Sequence, residues 1–252
     1  MLKRYLNHVI FRLIGTTTFT RLIEWKFVFK LLNPQKGDKI CDIACGGGTL
    51  SLKIAEKGCE VHGIDISEFM IKKAKNFAMI EHIRCEFVVG DAEYLPYKSG
   101  YFDKIVCNCS LEHFQNDIKA LKEMNRILRE NGYIVLTVDS LSYPKTKEYV
   151  REKHRETDFV VNYYTIPKLK ERLQKAGFNM VYSKYYLNSS LSSFFFELGM
   201  NLEWSGKLFR ASAPIFYALC LISDRIFGTS RGGYGLAVKA TKNKGHLRDC
   251  MI

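Results

Sequence analysis

Short apolar runs of strand length alternate along this chain with longer stretches whose apolar residues recur every three or four positions. The runs are Ile40–Ile43, Cys59–Ile64, Ile83–Val89, Lys104–Cys109, Tyr133–Val138 and Phe178–Tyr186. Between them, Thr49–Lys57, Ser67–Ala78, Leu111–Arg129 and Thr165–Gly177 are of helical length. In the third of these, Leu111, Phe114, Ile118, Leu121 and Leu128 make one stripe. The boundaries carry their own signals. Ser67 is a good N-cap with an acid, Glu68, behind it. Asn131-Gly132 stops the third helix, Pro167 is tolerated in a first turn, and Gly177 closes the fourth. Strands alternating with helices predict an α/β fold. Residues 233–240, GYGLAVKA, alternate like a last strand.

Two regions stand outside that alternation. Over residues 1–14, Leu2, Tyr5, Leu6, Val9, Ile10, Leu13 and Ile14 form a helical stripe, with Lys3, Arg4, His8 and Arg12 largely off it. The stretch 19–32 is apolar nearly all round and ends at Asn33-Pro34. These segments read either as helices packed on the sheet or capping a cleft, or as a basic amphipathic surface that touches a membrane. Residues 188–230 hold Phe194, Phe195, Phe196, Leu198, Met200, Leu202, Trp204, Leu208 and Phe209, then an apolar run from Ala211 to Ser223. That run is too short to span a bilayer and contains Pro214. It reads as a small helical subdomain burying its own aromatics, or as a lid or lipid-facing surface. Residues 141–158 are charged and read as a solvated loop or short helix near a cleft mouth.

The stretch Lys39–Asp65 places strand, glycine turn, helix, strand and terminal acid in succession. That is the nucleotide-binding half of a doubly wound sheet. A dinucleotide fingerprint needs G-x-G-x-x-G, and here Ser51 stands at the third glycine position. Asp42, just before the turn, would repel a pyrophosphate and suits a ligand carrying positive charge. The order D-x-A-x-G-x-G (Asp42, Ala44, Gly46, Gly48) resembles the first motif of the class I S-adenosylmethionine-dependent methyltransferases, with Ala44 where glycine is commoner. After Gly90-Asp91-Ala92 comes EYLPYKSGYFDKIVCNCSLEHF. It resembles a second signature of that family: an acid after the third strand, a Leu-Pro turn, and an aromatic-Asp pair opening the fourth strand. The resemblance covers roughly Gly37–Tyr186 and looks like the UbiE-like small-molecule branch (methyltransferase type 11).

The resemblance implies a Rossmann-like seven-stranded sheet, mostly parallel, with an antiparallel last strand. It implies N-terminal cap helices at 1–34, the methyltransferase domain at 35–187 and 231–242, and a hydrophobic helical insertion at 188–230. It implies S-adenosyl-L-methionine as cofactor. Asp42, Ala44, Cys45, Gly46 and Gly48 would then wrap the methionine part, and Asp65 the ribose hydroxyls with Ile66 beside the adenine. Asp91 would hold the adenine amino group next to Ala92, while Asn108 and Ser110 would line the methionine and the reaction side. His113, at the sheet edge where ligands gather, is the candidate catalytic base. Glu112 reads as a helix N-terminal acid. His154, Tyr163 and Tyr164 are further candidates to face substrate.

Composition changes this picture little. A formal net charge of +12 permits attraction to nucleic acid, to an anionic membrane surface or to an acidic substrate. Nucleic acid is disfavoured, because Cys107-Asn108-Cys109-Ser110 stands where an N-P-P-Y-type tetrad would lie and no RNA-binding module is evident. The eight cysteines contain no C-x-x-C and no paired Cys/His spacing, so no metal is expected. Cys41 and Cys45 are followed by Gly48 rather than the third cysteine of a radical cluster. The cysteines read as reduced core residues, and the setting as cytoplasmic, with a peripheral membrane contact open. Arg12 and Arg21 interrupt the N-terminal apolar stretch, unlike a cleaved signal peptide. The expected function is methyl transfer to a small or lipid-like molecule, at oxygen, by in-line displacement. Three alternatives stay open: a carbon acceptor of quinone or isoprenoid type, a nucleic-acid methyltransferase, and a non-catalytic partner with the same fold.

Overall fold

A computed structural model describes residues 19–201 and 212–243. The stripe at 1–14 and the residues Leu202, Trp204, Leu208 and Phe209 lie outside the described residues. In chain order the elements are α1 (Phe19–Leu32), β1 (Lys39–Ile43), α2 (Thr49–Ala55), β2 (Glu60–Asp65), α3 (Glu68–Glu81) and β3 (Glu86–Val89). There follow β4 (Phe102–Asn108), a 3-10 turn (Leu111–His113), α4 (Asp117–Ile127), β5 (Leu128–Asp139), α5 (Glu148–Asp158) and α6 (Ile166–Lys175). The chain continues through β6 (Phe178–Tyr186), α7 (Ser190–Asn201), α8 (Ala213–Phe227) and β7 (Gly235–Lys242).

One seven-stranded sheet runs in the order β3-β2-β1-β4-β5-β7-β6. Neighbours from β3 to β5 pair in parallel, and β7 runs antiparallel to both β5 and β6. This is the Rossmann-like, mostly parallel sheet that the motifs imply, with the reversed strand where expected. The strand order changes direction at β1 and β4, and their C-terminal ends open a crevice there. Both faces are covered, as a parallel sheet requires. Leu121, Met124, Leu169 and Leu173 of α4 and α6 pack on one face. Phe19, Ile23, Val28 and Leu32 of α1 pack on the other, in the same cluster as Phe196, Met200 and Cys220 of α7 and α8. Helix α1 is apolar nearly all round because it lies between the sheet and α8, with Phe19 against Phe216 at 5.9 Å. Helices α7 and α8 are inserted between β6 and β7. Asp224 of α8 ties them to the end of β6, accepting from Leu187 N at 2.7 Å and Ser192 Oγ at 2.6 Å. Among the described residues no helix is long and apolar enough to cross a membrane.

The helix expected over Leu111–Arg129 is in two parts. Asn116 caps a new start, its side chain accepting from Lys119 N at 3.1 Å, so only a 3-10 turn precedes it. Leu128 leaves the helical stripe for β5, where it pairs with Phe102. The charged segment after β5 forms helix α5, because Val150 and His154, four residues apart, are both buried beneath it.

Candidate functional site

The crevice begins with the turn after β1. Gly48 has φ +76, and a Cβ there would come within 2.8 Å of both Ala74 and Phe87, so the turn is pressed onto α3 and β3. Gly46 has φ +52 and faces space, with nothing within 4 Å of an added Cβ. Ala44 also lies in the left-handed region, at φ +55, which explains why glycine is the commoner residue there. At the end of β2, Asp65 staples two turns together. It accepts from Gly46 N at 2.8 Å and from Ser67 N at 2.9 Å. Each oxygen keeps a lone pair free for a further donor.

A cleft of about 400 Å³ opens beside it. Of the residues named from sequence, Ala44, Asp65, Ile66, Asp91, Ala92, Ser110 and His113 line it. Asp42, Cys45, Gly46, Gly48 and Asn108 do not. Ile64, Gly90, Glu93, Phe114 and Gln115 line it too and were not anticipated as site residues. Ile66 is 74% exposed at the rim. Asp91 accepts from Glu93 N at 2.8 Å, which fixes the loop after β3. His113 stands with Nδ1 3.4 Å from Phe159 O.

Asp42 is buried behind the turn and accepts from Ser51 Oγ at 2.5 Å. Burial, reinforced by the nearby charge of Asp65 and opposed by the Ser51 bond and Arg21, pushes its carboxyl up to about 7.

A second constellation sits at the ends of β4 and β5, beneath α1. Glu24 of α1 pairs with Arg21 at 2.9 Å and accepts from Asn108 Nδ2 at 3.4 Å. Thr137 Oγ1 donates to Asn108 Oδ1 at 3.0 Å and accepts from Cys109 N at 3.1 Å. Asn108 is thus spent on α1 and β5. Glu112 stands in the first turn after Ser110, as its position implied. It is fully buried, and its Oε1 accepts from Asp139 N at 3.3 Å. Burial raises the carboxyls of Glu112 and Asp139. His154 is also buried, its Nε2 3.5 Å from Asp139 Oδ2 and 3.2 Å from Asp158 Oδ2, and its Nδ1 3.0 Å from the Tyr163 hydroxyl. Burial lowers its basicity. Tyr164 does not face the cleft: it is fully buried and its hydroxyl donates to Asp117 at 2.7 Å. Asp139 was missed in the sequence, although it ends a parallel strand just as Asp65 does.

Comparison with known proteins adds the following. The profile of a family described as a methyltransferase domain matches residues 34–163. The demethylmenaquinone methyltransferase of Staphylococcus epidermidis is 31% identical over 202 residues, covering 75% of this chain and 79% of that one. An uncharacterized protein of Methanocaldococcus jannaschii is 28% identical over 203 residues, covering 71% and 76%. Among solved structures, the [4+2]-cyclase SpnF superposes with a TM-score of 0.66 at 18% identity, covering 92% of this chain and 84% of that one. Phosphoethanolamine N-methyltransferase 2 of Haemonchus contortus, in complex with S-adenosyl-L-methionine, superposes with 0.64 at 18% identity, covering 88% and 52%. These two likenesses are of fold. One of the two is named for a cyclisation, so fold alone does not fix the reaction.

Proposed function

Because the chain belongs to the methyltransferase-domain family and is an S-adenosylmethionine-dependent methyltransferase of the UbiE-like type, we propose that it methylates a small lipid-like acceptor, at oxygen. When bound, S-adenosylmethionine supplies a methyl group activated by the positive charge on its sulfur. The residues present fit that group: the turn at Gly46 leaves open space, and the cleft beside it is lined by Asp65, Asp91 and Glu93 and, among the described residues, by no lysine or arginine. In this reading Asp65 takes the ribose hydroxyls and Asp91 the adenine amino group, with Ile66 and Ala92 beside the base. Asp42, Ala44, Cys45, Gly46 and Gly48 shape the methionine end, and Ser110 borders the reaction side with Asn108 behind it. His113, beside Ser110, is the candidate base, and Asp139 is a second. Their task is to receive or relay the proton that a hydroxyl acceptor must lose.

The observation that carries the acceptor class is on α8. Ile215, Leu219, Ile222 and Ile226 follow one another at helical spacing and are all exposed, Ile215 and Ile226 at 63%. Leu191 and Phe194 of α7 are exposed as well. A contiguous apolar face of this kind suits contact with a lipid or its membrane. The related enzyme from Staphylococcus epidermidis is named for a quinone substrate, which supports the same class. The insertion 188–230 would then be the side from which acceptor arrives, resting on an anionic surface that the +12 charge attracts.

The test is methyl transfer from labelled donor to a hydroxylated aromatic lipid presented in anionic vesicles, with the product methyl assigned to oxygen or carbon by nuclear magnetic resonance. Ile222→Glu with Ile226→Glu is expected to cut vesicle binding and turnover at least tenfold while donor affinity in calorimetry stays within twofold. Equal turnover of the double variant, or transfer to oligonucleotides instead, overturns the proposal.

A further inference from the structure

We propose that Cys109, Glu112 and Asp139 form a binding site for a borderline divalent cation such as zinc at the ends of β4 and β5. One donor atom from each, the thiol sulfur and a carboxylate oxygen of each acid, lies within 4.8 Å of the other two. Glu112 is 0% exposed, and its Oε2 has no hydrogen-bond partner among the described residues. A bare carboxylate oxygen in a protein interior is costly unless a proton or a cation meets it. Among the described residues the cations nearby do not reach it. Arg21 is paired with Glu24 at 2.9 Å, His113 bonds toward Phe159 O, and His154 stands between Asp139 and Asp158.

Ligand chemistry selects the ion. A thiolate with two carboxylates suits zinc or another borderline ion rather than magnesium or calcium, which take oxygen alone. Metal–ligand bonds of roughly 2.0–2.3 Å put tetrahedral donors about 3.5 Å apart. The three side chains therefore draw in by about 1 Å at most. The surroundings already orient them: Asp139 N donates to Glu112 Oε1, and His154 Nε2 stands 3.5 Å from Asp139 Oδ2. The Asp139 side chain, 21% exposed, marks the entry. Three protein ligands leave a fourth position open. An acceptor hydroxyl bound there would release its proton to solvent more readily. That use rests on the methyl-transfer reading, whereas the cation site does not. Spacing could not reveal it in the sequence, because the single thiol and the two acids do not form a paired Cys/His pattern.

Full-length protein stripped with a chelator and titrated with cobalt(II) tests this. A sulfur-to-cobalt charge-transfer band is expected, displaced by zinc, and zinc at a hundredfold excess over its Kd is expected to raise Tm by about 5 °C. Cys109→Ser should abolish the band and Glu112→Gln should weaken cobalt binding at least tenfold, with circular dichroism showing that both fold. If Cys109→Ser does not fold, Glu112→Gln and the zinc-induced Tm shift of the wild type decide. No band and no Tm shift in the wild type, or a band that survives in Cys109→Ser, overturns the site. Donor calorimetry on the same preparation separates the outcomes, since donor binding without a cobalt band sinks the cation site alone.

Discussion

The two halves of the crevice solve the burial of polarity in opposite ways. On the β2–β3 side the acids stay accessible and their oxygens are met by backbone N–H groups: Gly46 and Ser67 on Asp65, Glu93 on Asp91. On the β4–β5 side Glu112 is buried and Asp139 partly so; side chains from distant elements meet there, Glu24 with Asn108 and His154 with Asp139, beside one backbone N–H, of Asp139, on Glu112. A backbone N–H costs little to desolvate when a carboxylate meets it, and it holds its position as the ligand comes and goes. A buried acid met mainly by other side chains favours its protonated form instead, and burial raises the carboxyls of Glu112 and Asp139 accordingly. In the proposed reading the first half binds the donor and the second exchanges a proton or a cation.

The sharpest break of that contrast is at Asp65. Asp65→Ala removes the acceptor of two backbone donors and, in the proposed site, of two hydroxyls. Charge-assisted bonds contribute about 1.5–3 kcal/mol each, so donor affinity should fall at least a hundredfold by calorimetry. A loss below threefold would place the ribose elsewhere.

Asp42 lies between the two styles, because it is on the binding side yet buried. Its carboxyl titrates near 7 when folded and near 4 when unfolded. The folded state therefore holds a proton that the unfolded state has lost, and the associated stability is full below about pH 4 and is lost as pH rises through 7. A cationic donor favours the ionised form. Donor binding should thus weaken as pH falls below 7, by up to about tenfold per unit, and proton release should register in buffers of different ionisation enthalpy. Asp42→Asn should flatten that dependence and lower affinity about tenfold or more, while raising Tm at pH 8 by about 2–4 °C. If affinity and Tm both fall, Asp42 is structural only.

The same contrast explains what the sequence disclosed. The binding half follows from local grammar. Asp42, Ala44, Gly46, Gly48 and Asp65 lie within one strand–turn–helix–strand unit, and the mostly parallel sheet and the reversed β7 follow from family motifs. The other half is assembled from α1, β4, the 3-10 turn, β5 and α5. Glu24, Cys109, Glu112, Asp139 and His154 meet only through tertiary packing, so no spacing announces them. Glu112 stands in a first turn, as its local position implies, but its burial comes from packing that the position does not announce. The break in the helix after β4 was hidden for a related reason. The stripe from Leu111 to Leu128 continues in apolar phase through Asn116, and only the cap bond to Lys119 N shows that the chain starts again.

The smallest expected effect concerns how much strain the binding half tolerates. Ala44 holds φ +55, a region that costs an L-residue roughly 1–2 kcal/mol relative to the right-handed one. Glycine removes that strain but adds about 0.5–1 kcal/mol of chain entropy in the unfolded state. The two nearly offset, so Ala44→Gly should change Tm by no more than about 3 °C, upward. Donor affinity should stay within threefold, because Ala44 lines the cleft without offering a side-chain polar group. A large gain in affinity would mean that the alanine methyl narrows the cleft, and that the backbone-built half is less finished than its hydrogen bonds imply. A large loss of Tm would mean that the turn depends on that methyl for packing, and the division between the β2–β3 half and the β4–β5 half would have to be redrawn at β1.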